Sequence, residues 1–308
     1  MVDIVVPVFE SCGDEHGLCR ARKLEALMQW NMARAAAAAE AWDKAAEHAR
    51  RAGDEDERSE ILSWVASSIF FGPTPVPEGI RRCEEIRAEV RGNPGSQAWA
   101  IRFLAGLHAM VGDFEAAREL LADANEIFEA LGQTRNSSPS DIDGIVELLA
   151  GDLDAAEARL RTGYLALEKM GDRAFRPTTA AHLAEALYAL GRDEDARQLT
   201  EISEELAARD DLLTQVVWRR VRAKVLARQG HMDEAEELAQ EAVTIGESTD
   251  FLNTRADALV DLADIHRQAG RLDEANAAVA KGIALYEAKG NRVALERTRA
   301  HLAVLHQV

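Results

Sequence analysis

The sequence predicts an all-α fold, a solenoid of about seven helix-turn-helix repeats, each of roughly 35–40 residues. Three observations predict it. First, one short pattern recurs: glycine, two residues, an acid, any residue, alanine. It stands as Gly112-Asp-Phe-Glu-Ala-Ala117, Gly151-Asp-Leu-Asp-Ala-Ala156, Gly191-Arg-Asp-Glu-Asp-Ala196, Gly230-His-Met-Asp-Glu-Ala235 and Gly270-Arg-Leu-Asp-Glu-Ala275. The glycines return at a nearly constant interval of roughly 40 residues, a period that belongs to helical solenoids. Second, apolar residues between the glycines keep helical spacing, as in Leu259, Leu262, Ala263 and His266, then Ala275, Val279 and Ile283. No segment alternates with a period of two. Third, the chain of 308 residues holds 56 alanines and only 5% aromatics, so helices can approach closely.

Each part of the pattern has a physical reason. Glycine ends a helix where a left-handed backbone is needed. The acids that follow sit in the first turn of the next helix and favour its positive end. The alanine lets the two helices of a pair come together.

Taken from the N-terminus, residues 3–12 read as a second helix without its first, because Phe9-Glu-Ser-Cys-Gly13 has the form of Phe128-Glu-Ala-Leu-Gly132. Asp3 and Pro7 break the apolar run and no basic segment precedes it, so this is no secretion signal. Degenerate turns are expected near 40, at Glu40-Ala-Trp-Asp-Lys-Ala45, and near 75, at Pro75-Val-Pro-Glu-Gly-Ile80. Pro73, Pro75 and Pro77 mark an irregular joint. The regular turns follow near 112, 151, 191, 230 and 270. Between two of them, residues 132–141 break the period. Ser138 and Pro139 read there as a helix N-cap and first residue, so the next helix starts late, leaving a loop, a pocket or a hinge. Residues 292–307 read as a first helix without its second. The whole of 1–308 is thus one array with an unmatched helix at each end and no polar caps. Such ends imply a piece of a longer protein, or ends that pair in a homodimer.

These residues resemble the tetratricopeptide repeat. Leu259, Leu262-Ala263, His266, Gly270 and Ala275 occupy its pattern, as do Ala180, Leu183-Ala184, Leu187, Gly191 and Ala196. The unit is longer here than is usual in that family. The resemblance implies a right-handed superhelix whose concave face is lined by first helices. A narrower resemblance lies in Gly144–Asp152, Trp218–Gly230 and Leu262–Arg271, which look like the C-terminal repeat regions of large actinobacterial signalling proteins. There an NTPase module, often with a nucleotide cyclase or a LuxR-type DNA-binding domain, precedes the repeats. No phosphate-binding Gly-x-x-x-x-Gly-Lys-Ser/Thr loop occurs here. The resemblance implies the regulatory arm of a cytoplasmic signalling or transcriptional protein.

Charge narrows the function classes. Fifty-four acids against 36 Lys+Arg give a net charge of -18, which argues against nucleic-acid binding by this chain alone and against anionic membranes. Three cysteines, Cys12, Cys19 and Cys83, form no disulfide framework and fit a reducing compartment. No stretch reaches the length of a membrane span. Cys12, His16 and Cys19 fall close together, but in a spacing that matches no familiar zinc site; unliganded cysteines are expected. Acid pairs such as Glu204-Glu205 and Glu236-Glu237 read as solvated helix faces. No strand-to-helix nucleophile turn is present. The chain is expected to be no enzyme and to hold no cofactor or metal.

Aligning the repeats on their glycines puts the binding candidates on the concave face: Trp30, Trp99, Arg102, Glu185, Tyr188, Arg220, Lys224, Asp257, Asp264, Arg267 and Gln268. Trp30 and Trp99 could stack on a ligand or be buried; Trp64 reads as core, and Trp42 as packed in the turn near 40. His108 and His266 take the structural aromatic position of the repeat. Arg219, Arg220, Arg222, Lys224 and Arg228 make a cationic patch, which either grips a partner's acids or pairs with acids on neighbouring helices. The expected function is recognition of a protein or peptide, of basic character given the acidic surface. The rival is a small-molecule sensor whose ligand changes the curvature of the superhelix.

Overall fold

The recurring glycines do what their chemistry requires. Gly112, Gly151, Gly191, Gly230 and Gly270 all have positive φ, between 76° and 87°, and each closes one helix just before the next. At the last four a side chain would meet nothing within 4 Å, so backbone conformation and not space selects glycine there. The computed structural model describes residues 2–132 and 141–305. Among these it contains sixteen helices and no strand. They are α1 (Val2–Cys12), α2 (Glu15–Asn31), α3 (Ala35–Ala52), α4 (Glu55–Phe71), α5 (Val76–Glu89), α6 (Pro94–Met110), α7 (Phe114–Ala130) and α8 (Asp141–Ala150). Then come α9 (Leu153–Lys169), α10 (Arg176–Ala189), α11 (Asp193–Leu206), α12 (Leu212–Arg228), α13 (Met232–Glu247), α14 (Leu252–Gln268), α15 (Leu272–Lys289) and α16 (Arg292–Leu305). The architecture is an all-α helical repeat solenoid.

Helices α2 to α15 pair as seven antiparallel hairpins, with α1 and α16 outside the pairs. After the glycine, Asp113 and Asp152 are N-caps whose carboxylates accept from the amides of Ala116 and Ala155. In the later repeats the acids lie one residue on, inside the first turn. The alanines that end the pattern, Ala117, Ala156, Ala196, Ala235 and Ala275, are all buried. Close approach is most severe at Gly144, where a Cβ would stand 2.3 Å from Cγ of Leu160, and at Gly106, 2.4 Å from the ring of Phe70.

One expected turn is wrong. No turn exists near 40: α3 runs unbroken from Ala35 to Ala52. Its run of alanines is the best helix-forming stretch of the chain. The real turn is at 32–34, where Ala33 takes the left-handed conformation (φ 48°) that glycine takes elsewhere. Trp42 therefore lies in mid-helix, fully buried and stacked on Trp64 at 5.7 Å. The turn near 75 lies between α4 and α5, where Pro75 is the N-cap residue. Helix α8 is described over Asp141–Ala150. The proposed cap at Ser138 and Pro139 lies outside the described residues.

The array curls until its last repeat meets its first ones. The carboxylate of Asp250, just before α14, accepts from the amides of Ala35 (2.6 Å) and Ala36 (2.8 Å) at the N-terminus of α3. The Asp250 amide donates to Ala33 O at 3.0 Å. At the end of α15 the Lys289 ammonium donates to three backbone carbonyls around the end of α4: Ile69 (2.8 Å), Gly72 (2.7 Å) and Thr74 (2.9 Å). Arg292 donates to Val111 O after α6, and Arg297 to Leu148 O (3.2 Å) and Leu149 O (2.8 Å) at the end of α8. Three cations thus sit on the negative ends of three successive first helices. Helix α16 is unmatched in sequence, yet its first half is held by the body of the same chain. At the other end, α1 leaves Ile4 and Val8 exposed.

Lys289 is completely buried. Burial pushes its amine down to about 7, and the charges of Cys83 and Asp250 act in the opposite sense by favouring the ammonium. Lys289→Met keeps the apolar stem and leaves those carbonyls without a donor. A loss of about 3 kcal/mol in urea unfolding is expected. The exposed Arg292→Met should cost far less.

Candidate functional site

Closure of the array encloses a cavity of about 1090 Å³. Its wall is made of the end of α2, most of α4, and the first turns of α6, α8, α10 and α12. The segment 173–175 and the inner side of α9 complete it, with Phe251 beside α14. A smaller hollow of about 290 Å³ near Val243, Leu259 and Leu285 holds no aromatic ring.

Aromatic residues are scarce in this chain, and they gather here. Trp30 packs edge-on against Trp64 (5.9 Å) and Phe71 (5.7 Å) and tilts on Phe251 at 5.5 Å. Phe71 stacks on Phe251 at 5.3 Å and touches Phe103, which stacks on Trp99 at 6.1 Å. Six rings, Trp30, Trp64, Phe71, Trp99, Phe103 and Phe251, form a continuous wall of the cavity. Phe251 reaches it only because Asp250 pins the start of α14 to α3. The ring wall and the closure therefore meet at one residue.

Helix N-termini supply the polar part. Asp54 caps α4, Asn93 caps α6 and Asp211 caps α12 through their side chains. Thr214 donates its hydroxyl to Asp211 Oδ2 at 2.6 Å and shares a 2.6 Å bond with Thr178, so the three form a chain. Burial raises the Asp211 pKa, and the Thr214 hydroxyl and amide offset part of this. Asp141, in the first turn of α8, is pushed up to about 7. Burial is the main cause. The negative charges of Asp143 and Asp211 add to it, and a hydrogen bond with Thr179 opposes it.

The candidates drawn from the sequence divide into groups. Trp30, Trp99 and Arg102 line the cavity. Arg102 is almost fully buried, with its guanidinium 5.3 Å from the centre of Trp99 and 4.6 Å from that of Phe128, and it donates to Asn125 at 2.6 Å. Glu185, Arg220, Lys224 and Asp257 lie elsewhere, joined with Asp261 in a buried ion cluster across α10, α12 and α14. Arg220 is 2.9 Å from Glu185, 2.7 Å from Asp261 and 3.8 Å from Asp257. Lys224 is 2.5 Å from Glu185 and 3.3 Å from Asp261. Tyr188 faces Lys224 and Arg228. Asp264 and Arg267 bond each other and reach His301 of α16. Gln268 is exposed.

The cationic patch is therefore a paired one. Arg219 meets Glu241, Arg222 meets Glu204 and Arg228 meets Asp193. Neighbouring helices supply the acids. His266 is buried beside Glu236 and Arg271, and His108 lies near Asp113. Sequence reading missed Phe71, Phe103, Phe175 and Phe251 as cavity residues and took Trp64 for core. Among the described residues no group of three or more His, Cys, Asp or Glu could hold a metal. Cys12 is exposed and Cys19 is buried, its thiol pushed up to about 11 by burial. Among the described residues no helix is long and apolar enough to cross a membrane.

Residues 213–288 match the tetratricopeptide repeat family. The match spans the two repeats from α12 to α15, a quarter of the chain. No curated protein sequence matches. Solved tetratricopeptide-type structures are similar over most of the length. A Rap protein complexed with competence and sporulation factor is 16% identical, covers 90% of this chain and 77% of its own, and has a TM-score of 0.73. The Cut9–Hcn1 hetero-tetramer of the APC/C is 14% identical, with 92% and 50% coverage and a TM-score of 0.65. A signal transduction ATPase with numerous domains and a tetratricopeptide repeat sensor, from Pyrococcus horikoshii, is 16% identical, with 84% and 39% coverage and a TM-score of 0.53. These likenesses concern the fold.

The ion cluster holds three carboxylates and two cations, so removing a cation strands acids in the interior. Glu185 is held below the usual carboxylate range by Arg220 and Lys224 against its burial. Arg220→Met should cost about 3–5 kcal/mol near neutral pH. In that variant the stranded acids gain folded-state pKa values above their unfolded ones. Their stability contribution is then complete at low pH and lost as pH rises. The deficit against wild type should therefore shrink towards pH 5, as chemical denaturation across a pH series would measure.

Proposed function

We propose that this chain is a non-catalytic binding scaffold that captures a short peptide or an exposed protein segment in its central cavity. The observation that carries this reading is the aromatic wall. Six rings in mutual contact, with Phe175 as a seventh, lie around one open space of about 1090 Å³, at the upper end of ligand pockets and larger than most small metabolites need. Rings give contact area at low entropic cost and tolerate side chains of many shapes. The preformed bowl avoids ordering the scaffold on binding. The Rap structure, complexed with a factor, supports a binding role for this architecture. The likeness to a repeat described as a sensor in a multidomain ATPase supports the wider proposal of a regulatory arm in a cytoplasmic signalling protein.

A second reading, a small-molecule sensor, is favoured by one feature. Phe251 belongs both to the cavity wall and to the contact that closes the array, so an occupant touching it biases closure.

Ala166→Trp tests the cavity without touching the buried core, since Ala166 lines the space and is only partly buried. Peptides selected from a random heptapeptide pool on wild type should lose binding to this variant while its melting temperature stays unchanged. Equal capture by both proteins would remove the cavity as the binding site.

A further inference from the structure

The lining of the cavity is unbalanced in charge. Seven carboxylates face two guanidiniums there. Several of the acids have local work. Asp54 and Asp211 cap helices, and Glu57 and Glu60 hold Lys23 at 2.7 and 3.4 Å. Asp141 differs. Its Oδ1 is buried without a hydrogen-bond partner. Of the two lining cations, Arg102 is engaged by Asn125 and by the rings of Trp99 and Phe128, and Arg173 sits at the exposed rim.

Other groups face Asp141 from each side. Asp143 lies on its own helix, Asp211 precedes α12, and Thr179 hydrogen-bonds to it from α10. Two of these three are negative. A neutral apolar occupant would leave Oδ1 buried and unpaired, and an anionic one would add a like charge. A cation alone satisfies the orphan oxygen and relieves the repulsion. The rings that line the same cavity suit a cation on an apolar body, since aromatic faces attract positive charge.

We propose that the cavity receives a guanidinium or ammonium group carried on an apolar body, with Asp141 as its counter-ion. This rests on the reading of the cavity as the binding site. Two sources carry such a group: a basic residue next to an apolar one in a peptide, and a free aryl-alkyl amine or guanidine. In either case binding requires ionised Asp141. In the free protein this carboxyl is pushed up to about 7, so affinity should rise as pH rises through that value.

Calorimetric titration with N-acetyl-Phe-Arg-amide, N-acetyl-Phe-citrulline-amide and 2-phenylethylguanidine, at pH 6 and pH 8, tests this. Neither guanidinium titrates in that range, and citrulline keeps the shape of arginine without its charge. The arginine probe should bind about tenfold or more tighter than the citrulline probe at pH 8. Its affinity should fall roughly tenfold at pH 6, the fraction of Asp141 lost to protonation. Asp141→Asn should remove both effects, and the wild-type pH profile tests the idea even if that variant folds poorly. A phenylethylguanidine affinity equal to that of the arginine probe assigns the site to a small cation. A weaker one assigns it to a peptide. Equal affinity for arginine and citrulline at both pH values overturns the cation and leaves the cavity reading standing. Binding by none of the probes at millimolar concentration overturns both.

Discussion

A helical solenoid is by construction open at both ends, and here that openness is removed by charge on helix ends. Lys289, Arg292 and Arg297 lie across the carbonyl ends of α4, α6 and α8, while Asp250 accepts from the amide end of α3. These groups lack partners in any helix because the last carbonyls and first amides of a helix have none. Their alignment along successive first helices is a product of the repeat itself. Stacking equivalent helices side by side puts like ends in a row, and one segment can serve several of them. The presence of Phe251 in the wall of the cavity follows from that contact.

The interior shows two outcomes for the same residue types. Along α10, α12 and α14, acids and bases one repeat apart in sequence meet across neighbouring helices and neutralise each other. Glu185, Arg220, Lys224 and Asp261 are consumed in this way, and that part of the inner face is sealed. Around α4 and α6 the equivalent inner positions carry rings and small residues instead: Ser63, Trp64, Ser67, Trp99 and Phe103. The ion pairs there, Lys23 with Glu57 and Arg118 with Glu147, leave the space open.

The pattern from Gly112 to Ala275 was legible because a positive φ leaves little choice but glycine, and a close helix pair little choice but alanine. The helix at each end of the array was legible for the same reason, from the phase of those glycines. The degenerate repeat near 40 was not. Ala33 does the work of a glycine in its turn, and the Glu-x-x-Asp-x-Ala likeness at 40–45 lies inside α3, where an alanine run imitates any alanine motif. Among site residues, Trp30, Trp99 and Arg102 could be placed because they sit at repeat positions. Phe251 could not, since it joins the cavity only when the last repeats close onto the first. Nor does periodicity tell that Arg220 and Lys224 face acids in the repeats on either side, although pairing of that patch with neighbouring acids is one of the two readings the sequence allows.

Closing the array also changes how it is made. Contacts such as that of Lys289 with Ile69 span 220 residues, whereas contacts in an open repeat array reach only to the next unit. Non-local contacts of this span slow folding, because loop-closure entropy is lost before they form. On a ribosome the early repeats emerge with their aromatic wall uncovered. Phe251 and Lys289 arrive later. Until they do, the nascent chain carries an exposed apolar surface, a target for chaperones, and its cavity is complete only once the repeats that carry these residues have emerged.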